Sequence, residues 1–358
     1  MKKLDRYIVG KFLTTFFFAI MILAVISCVI DYSEKVDNIV SKKAPLGVVV
    51  NYYKNFVPHI TALLFPLFIF IATIFFTSKM AYKSEIIAIL SSGVSFRRFL
   101  RPYVIGGGFL CLVSLVANHW IIPVANKQRI DFENTYINDA NFRYAANDMH
   151  LGIAKGTYVY LQNFNFTNYM GNRFCVERIE GTLLKEKIMA EYAIYDTVKK
   201  TWELHNVMIR TNDSLHEKLV KLPMMEVKYP FSPRDLNKGD AIKEALTTPQ
   251  LVAYLEAEQL RGQENLNTYL IEKERRTSQP FAGFVLTMIG ACIASRKIRG
   301  GSGFHLALGI ALSAIYIMFQ QISNTFATKA SLEPLIAVWI PNVIFGVVAY
   351  VLYRRQLR

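Results

Sequence analysis

"SKMAYKSEIIAILSSGVSFRRFLRP", residues 78–102, separates two long apolar runs with five basic residues (Lys79, Lys83, Arg97, Arg98, Arg101) and one acid, Glu85. Residues 83–90 have the pattern of a short helix, with Ser84 as N-cap and Glu85 in the first turn. Ile86, Ile87, Ile89 and Leu90 give it an apolar surface. Ser91-Ser92-Gly93 would end it, and Ser95 would cap the next run. A carboxylate in a first turn gains about 0.3–1 kcal/mol from the helix dipole. Four large apolar side chains on so short a helix call for burial as well. A groove on a soluble partner, with a base to meet Glu85, supplies both needs. A lipid surface supplies burial alone.

The flanking runs place this helix in a membrane protein. Of 358 residues, 53% are hydrophobic and only 19% charged, a balance unlike that of soluble domains. A span needs about 20 apolar residues to cross ~30 Å of hydrocarbon. Six segments qualify: 12–30, 58–76, 102–122, 280–295, 303–322 and 334–353. The fourth is short, at 16 residues, and charge supports it. With the N-terminus inside, segments 1–11, 77–101, 296–302 and 354–358 carry 15 Lys/Arg against 2 acids. The outside loops 31–57 and 323–333 carry 5 against 4, and the middle segment 123–279 carries 21 against 21. That one-sided excess is the positive-inside pattern. Without the fourth span, RKIR (296–299) and RRQLR (354–358) would lie on the wrong side.

The net charge of +14 therefore lines one membrane face. A nucleic-acid binder would concentrate it on a soluble surface, so nucleic acid is not an expected partner. The opening MKKLDRYIVGKFLTTFFFAIMILAVISC is similar to a secretory signal, but its apolar stretch exceeds the usual ~7–15 residues, and a retained first span is expected. Cys28, Cys111, Cys175 and Cys292 show neither a disulfide framework nor metal-ligand spacing.

The expected organisation is spans one to three with the short helix (1–123), an all-β domain (124–247), a helical connection (248–278) and spans four to six (279–358). Residues 156–166, 174–179, 188–195 and 201–209 are rich in β-branched and aromatic residues, and 196–200 reads as a hairpin connection. Short strands at this spacing suggest a sandwich or jelly roll. Thr248-Pro249 opens a helix that Gly262 ends, and a second polar helix from about 264 runs into the fourth span. Arg275 and Arg276 at its mouth fit either snorkelling anchors or contacts to an anionic headgroup.

No phosphate-binding loop, HExxH or nucleophile–base pairing is present, so no catalytic or metal site is expected. The apolar spans hold no Lys, Arg, Asp or Glu, which argues against an intramembrane ion pathway. Gly309/Ser313 and Ala307/Ala311 have small-xxx-small spacing, which fits packing within the chain or against a second chain. Gln320, Gln321 and Asn324 can hydrogen-bond across helices. Pro66 and Pro341 predict kinks.

Three stretches carry a resemblance: "LDRYIVGKFLTTFF" (4–17), "KSEIIAILSSGVSFRR" (83–98) and "RRTSQPFAGFVLTMIGACIA" (275–294). With the 3 + 3 layout around a β domain, they resemble the lipopolysaccharide export permease family (LptF/LptG, YjgP/YjgQ) over essentially the whole chain. The resemblance implies an α-helical membrane protein with an inserted jelly-roll domain. It also implies an inner-membrane location with cytoplasmic termini and the large domain in the periplasm. Expected partners are a cytoplasmic ABC ATPase dimer, a second six-span permease, a periplasmic jelly-roll bridge and lipopolysaccharide. ATP and magnesium would be bound by the ATPase, and no cofactor by this chain. Ser84, Glu85, Ala88, Ser91 and Gly93 match the family's coupling helix, whose glutamate meets an ATPase arginine. Ser84, Glu85, Ile86, Ile89 and Arg97 are the implied coupling residues.

Spans one and five would form lateral gates. Where some family members carry a base near the outer end of span one, this chain has Asp31. Lys35, Lys42, Lys43 or Lys54 would then meet lipid phosphates, or the lipid is less phosphorylated; Asp31 and Gln320 are further gate or headgroup candidates. An acyl chain of about a dozen carbons crossing water would cost roughly 10 kcal/mol at ~0.8 per CH₂, so a shielded route is needed. A permease for another lipid or lipoprotein, and a non-transport scaffold for the β domain, are the competing expectations. An associated ATPase separates an exporter from the scaffold.

Overall fold

The structure, a computed structural model, describes residues 3–137, 145–166, 168–213, 216–233, 242–260, 266–296, 301–329 and 332–357. Gly262, expected to end a helix, and most of RKIR lie outside the described residues. The chain divides into two compact units: Met1–Arg129 with Ala245–Thr248 and Asn267–Arg358, and Ile130–Glu244 with Pro249–Leu266.

The first unit is helical. In order it holds α1 (Lys3–Ser41), α2 (Leu46–Leu63), α3 (Phe65–Tyr82), α4 (Glu85–Ser91) and α5 (Phe96–Val116). A π turn at Ala117–Ile121 leads from α5 into α6 (Ile122–Phe132). After the second unit come α9 (Asn267–Ala294), α10 (Gly301–Lys329) and α11 (Pro334–Leu357). Six helices among the described residues are long and apolar enough to cross a membrane: α1, α3, the Phe96–Ile137 run, α9, α10 and α11. Each overlaps one of the six segments read from the sequence, the second shifted from 58–76 to Phe65–Tyr82. α3 and α9 are mostly buried, whereas α1, α10 and α11 expose most of their apolar surface. Such surface suits lipid or another chain.

Residues 31–57, expected as a loop, are mostly helix. α1 runs on past its apolar part because Asp31 and Lys35 pair one turn apart, and Pro45 stands at the N-cap of α2. The second expected span is split at Leu64 (φ −100°, ψ 10°). Pro66 lacks the N–H that would bond the carbonyl of Ala62. Gln279 Nε2, from α9, donates to that oxygen at 2.6 Å. Pro341 leaves Ala337 in the same position, and there Ser323 Oγ of α10 donates to the carbonyl at 2.6 Å. At both prolines the carbonyl left without its helix donor is thus tied by a donor from a neighbouring helix, as apolar surroundings require. Replacing Gln279 by leucine orphans the Ala62 oxygen and is expected to cost about 1–3 kcal/mol, read by thermal unfolding in detergent.

Gly309 packs so closely on Ile74 of α3 that a Cβ would meet its side chain. The Gly309/Ser313 stripe therefore packs within the chain, while Ala307 and Ala311 face outward.

The second unit is a six-stranded antiparallel sheet in sequence order: β1 (Ala145–Ala154), β2 (Thr157–Asn165), β3 (Met170–Glu180), β4 (Leu183–Asp196), β5 (Thr201–Asp213) and β6 (His216–Val227). α7 (Ile242–Ala245) and α8 (Thr248–Leu260) follow it in the chain. The four strands read from the sequence are the central ones. β1 and β6 are the edges, whose polar or proline-bearing sequences (Pro223 in β6) suit edges and weaken their signal. The expected hairpin forms at Asp196, whose carboxylate accepts the N–H groups of Val198 (2.8 Å) and Lys199 (3.0 Å). Those bonds hold its pKa below the usual carboxylate value.

Inward and outward alternation slips on four neighbouring strands at one level. The buried pairs are Leu161 and Phe164, Gly171 and Phe174, Ala190 and Ala193, Leu204 and Val207. Each pair is separated by two residues facing away from the core. Arg173 and Asn206 take positive φ (50° and 54°) at this line, and Asn206 Nδ2 ties to Glu191 Oε2 at 2.6 Å. Two successive outward residues bend each strand toward its buried side, much as a bulge does. The sheet therefore creases around its apolar face.

Gly156 turns β1 into β2 at φ +74°, and a Cβ there would strike the backbone oxygen of Ile179. Gly156→Ala is expected to destabilise this unit by about 1–2 kcal/mol or more, measured by denaturant unfolding.

Candidate functional site

α4 lies between α3 and α5, in the stretch that carries Lys79, Lys83, Arg97, Arg98 and Arg101. It begins one residue after Ser84, which takes a left-handed conformation (φ 58°) and makes no side-chain cap. The expected cap fails because the chain uses Ser84 to turn sharply out of α3. Ser95 does cap α5, accepting from the N–H of Arg98 at 3.4 Å. Gly93 (φ +88°) closes α4 as expected.

The apolar residues of α4 divide between two faces. Ile86 is 1% exposed and packs in the cluster of Ile8, Phe12, Met80, Phe96 and Phe99, with Ile89 and Leu90 against the same core. Ile87 is 49% exposed. Ile86 thus anchors the helix, and the surface offered outward is Ile87, Ala88 and the half-exposed Glu85. Glu85 Oε2 accepts from Tyr7 OH at 3.3 Å. Arg97 is exposed, while Arg98 turns inward onto Asp5 of α1.

A second polar cluster lies between α1 and α2. Asp31, 9% exposed, accepts from Lys35 Nζ (2.6 Å), Tyr52 OH (3.0 Å) and Tyr53 OH (3.2 Å). Lys35 also donates to Tyr52 OH at 2.6 Å and lies over the Tyr52 ring at 5.0 Å. Its charge is therefore compensated within the protein by Asp31. Lys42, Lys43 and Lys54 are exposed. Next to this cluster is a cavity of about 760 Å³, lined by Phe17, Met21, Val25, Cys28, Val49 and Val57 among others. Its walls are apolar, as an acyl chain requires. Gln320 is half-buried on α10. Sequence reasoning missed Tyr52 and Tyr53, because their stretch reads as a polar loop.

Arg276 proves to be an internal residue. It is 2% exposed, bonds Glu272 Oε1 at 3.2 Å and donates to Thr248 Oγ1 at 3.1 Å. Arg275 sits on the same carboxylate at 2.7 Å. Arg276 is thus held by partners inside the protein, while Arg275 keeps part of its side chain in the open.

On the apolar face of the sheet, Trp202 is fully buried among Phe164, Phe174, Tyr195 and Phe231. Tyr229 packs there too, its phenol pushed up to about 12 by burial and by Glu186.

Six apolar helices with a β-sheet unit inserted after the third define a multi-pass membrane protein. The family model for the lipopolysaccharide export system permease LptF/LptG matches residues 6–355, and the chain belongs to that family. It is thus a permease component of a transport system and not itself a catalyst. No curated protein matches the chain.

Proposed function

We propose that this chain is a transmembrane subunit of an ATP-driven exporter that draws lipopolysaccharide from the bacterial inner membrane and passes it toward a periplasmic bridge. Membership of the permease family over residues 6–355 carries this reading. The one-sided basic loops support cytoplasmic termini, with the sheet unit in the periplasm. In this arrangement α4 faces the cytoplasm and presents Glu85 and Ile87 to an ABC ATPase. The ATPase supplies nucleotide, magnesium and hydrolysis. The outward stripe of Ala307 and Ala311 suits close approach by a second permease chain.

The cavity between α1 and α2 receives acyl chains, and the exposed Lys42, Lys43 and Lys54 receive phosphates. The creased sheet then shields the acyl chains from water, a saving of about 0.8 kcal/mol per CH₂. A photoreactive residue at Val25, exposed on the cavity wall, tests this in native membranes. A lipopolysaccharide adduct is the expected product. Adducts to bulk phospholipid alone would contradict the assignment.

A further inference from the structure

Two of the sequence stretches that mark this chain, residues 4–17 and 83–98, meet in the fold. Arg98 Nη1 and Nη2 grip Asp5 Oδ1 and Oδ2 at 2.6 and 2.7 Å. Asp5 is only 5% exposed. Beside this fork, Tyr7 OH reaches Glu85. Below it, Ile8 and Phe12 of α1 pack in one cluster with Ile86 of α4 and Phe99 and Tyr103 of α5.

Stability of its own helix does not explain Arg98. It lies in the first turn of α5, where a cation opposes the helix dipole, and Arg97 and Arg101 crowd it. Burying Asp5 is unfavourable unless its partner is held in good geometry. The two-pronged fork provides that geometry, and it fixes direction as well as distance.

α1 then runs without proline from this fork to the Asp31 cluster, 26 residues on and hence about 39 Å away. Between these two fixed points most of its side chains are exposed, and Phe17, Met21, Val25 and Cys28 form a wall of the cavity. A continuous helix held at both ends, with only its inner side packed through Ile8, Phe12 and Phe16, passes displacement along its length.

We propose that Asp5 and Arg98 are positioning residues: they form a joint that makes α1 follow α4 and α5, so that movement at the α4 surface reshapes the α1 wall of the cavity. This rests on reading α4 as the ATPase-contact helix. Tyr7 orients Glu85 within the same joint.

The test uses the full chain, purified with its native partners into nanodiscs containing lipopolysaccharide. Asp5→Asn and Arg98→Gln are compared with the swap Asp5→Arg/Arg98→Asp. Each single variant is expected to lower ATP-driven transfer of lipid by about tenfold, with ATPase co-purification and hydrolysis within about twofold of the parent. The swap is expected to recover most of the transfer, because it restores an opposite-charge pair at the same two positions. A structural role alone would lower assembly, hydrolysis and transfer together.

A second readout does not need the ATPase. Spin labels at the exposed positions 10 and 88, in a chain cleared of its native cysteines, report the distance between α1 and α4. A narrow distribution is expected for the parent and the swap, and a broad one for each single variant. Unchanged distances or unchanged transfer in the single variants would overturn the joint, as would a well-inserted swap that recovers nothing. If the parent chain retains no ATPase, the exporter reading fails, and the label distances still decide whether the joint exists.

Discussion

Glu85→Arg is expected to leave all six spans inserted while ATPase co-purification and lipid export fall to background. Insertion survives because Ile86 continues to anchor α4 in the helical core. The outward surface changes sign: a cation replaces the carboxylate in the first turn, next to Lys83 and against the helix dipole. A partner base that met Glu85 would now face a like charge, and such juxtapositions cost several kcal/mol. The loss of Tyr7 as a donor to Glu85 adds to the effect. Expression and protease mapping establish insertion, and a detergent pull-down establishes association. Normal export by the variant at normal expression would remove α4 from the coupling role.

Trp202→Ala is expected to destabilise the sheet unit by about 3–5 kcal/mol, the range for deleting a large buried aromatic. Trp202 is 0% exposed. It contacts Phe231 with ring centroids 4.9 Å apart, and its Nε1 donates to the Phe231 carbonyl at 3.2 Å. Removing the indole leaves a cavity under the crease and frees the segment after β6 at once. Limited proteolysis of membranes should cut within residues 145–233 of the variant and spare the helices. Trp202→Phe keeps most of the volume but leaves the Phe231 carbonyl without its donor, so its loss should be smaller, about 1–3 kcal/mol. Equal resistance of Trp202→Ala and parent to protease would contradict the packing described.

The six spans were legible because an apolar run of bilayer length has few other readings in water. The central strands were legible for a similar reason: β-branched and aromatic runs such as Tyr158–Tyr160 and the Trp202 strand leave little room for helix. α2 was not, since Tyr52, Tyr53, Lys54 and Asn55 read as a polar loop until α1 is seen to shelter the tyrosines. The crease in the sheet depends on four strands slipping in phase at one level, which no single strand announces.

The site shows the same limit. A helix at residues 83–90 with a carboxylate in its first turn could be read directly. That Ile86 turns inward and Ile87 outward depends on where α1 and α5 lie. Lys35 read as a free cation, and only the fold brings Asp31 and Tyr52 to it. Asp5 counted merely as an acid among bases, because its partner lies 93 positions along the chain.

The most direct test of the exporter reading is lipid delivery to the sheet. The chain, purified with whatever partners accompany it, is placed in proteoliposomes containing lipopolysaccharide, with a photoreactive residue at Val159 on the buried face of β2. Adducts of lipopolysaccharide that appear with ATP and magnesium, and are absent when ATP is withheld or Glu85 is arginine, are the predicted result. Adducts that form equally without ATP, or none under any condition in an intact complex, would contradict it.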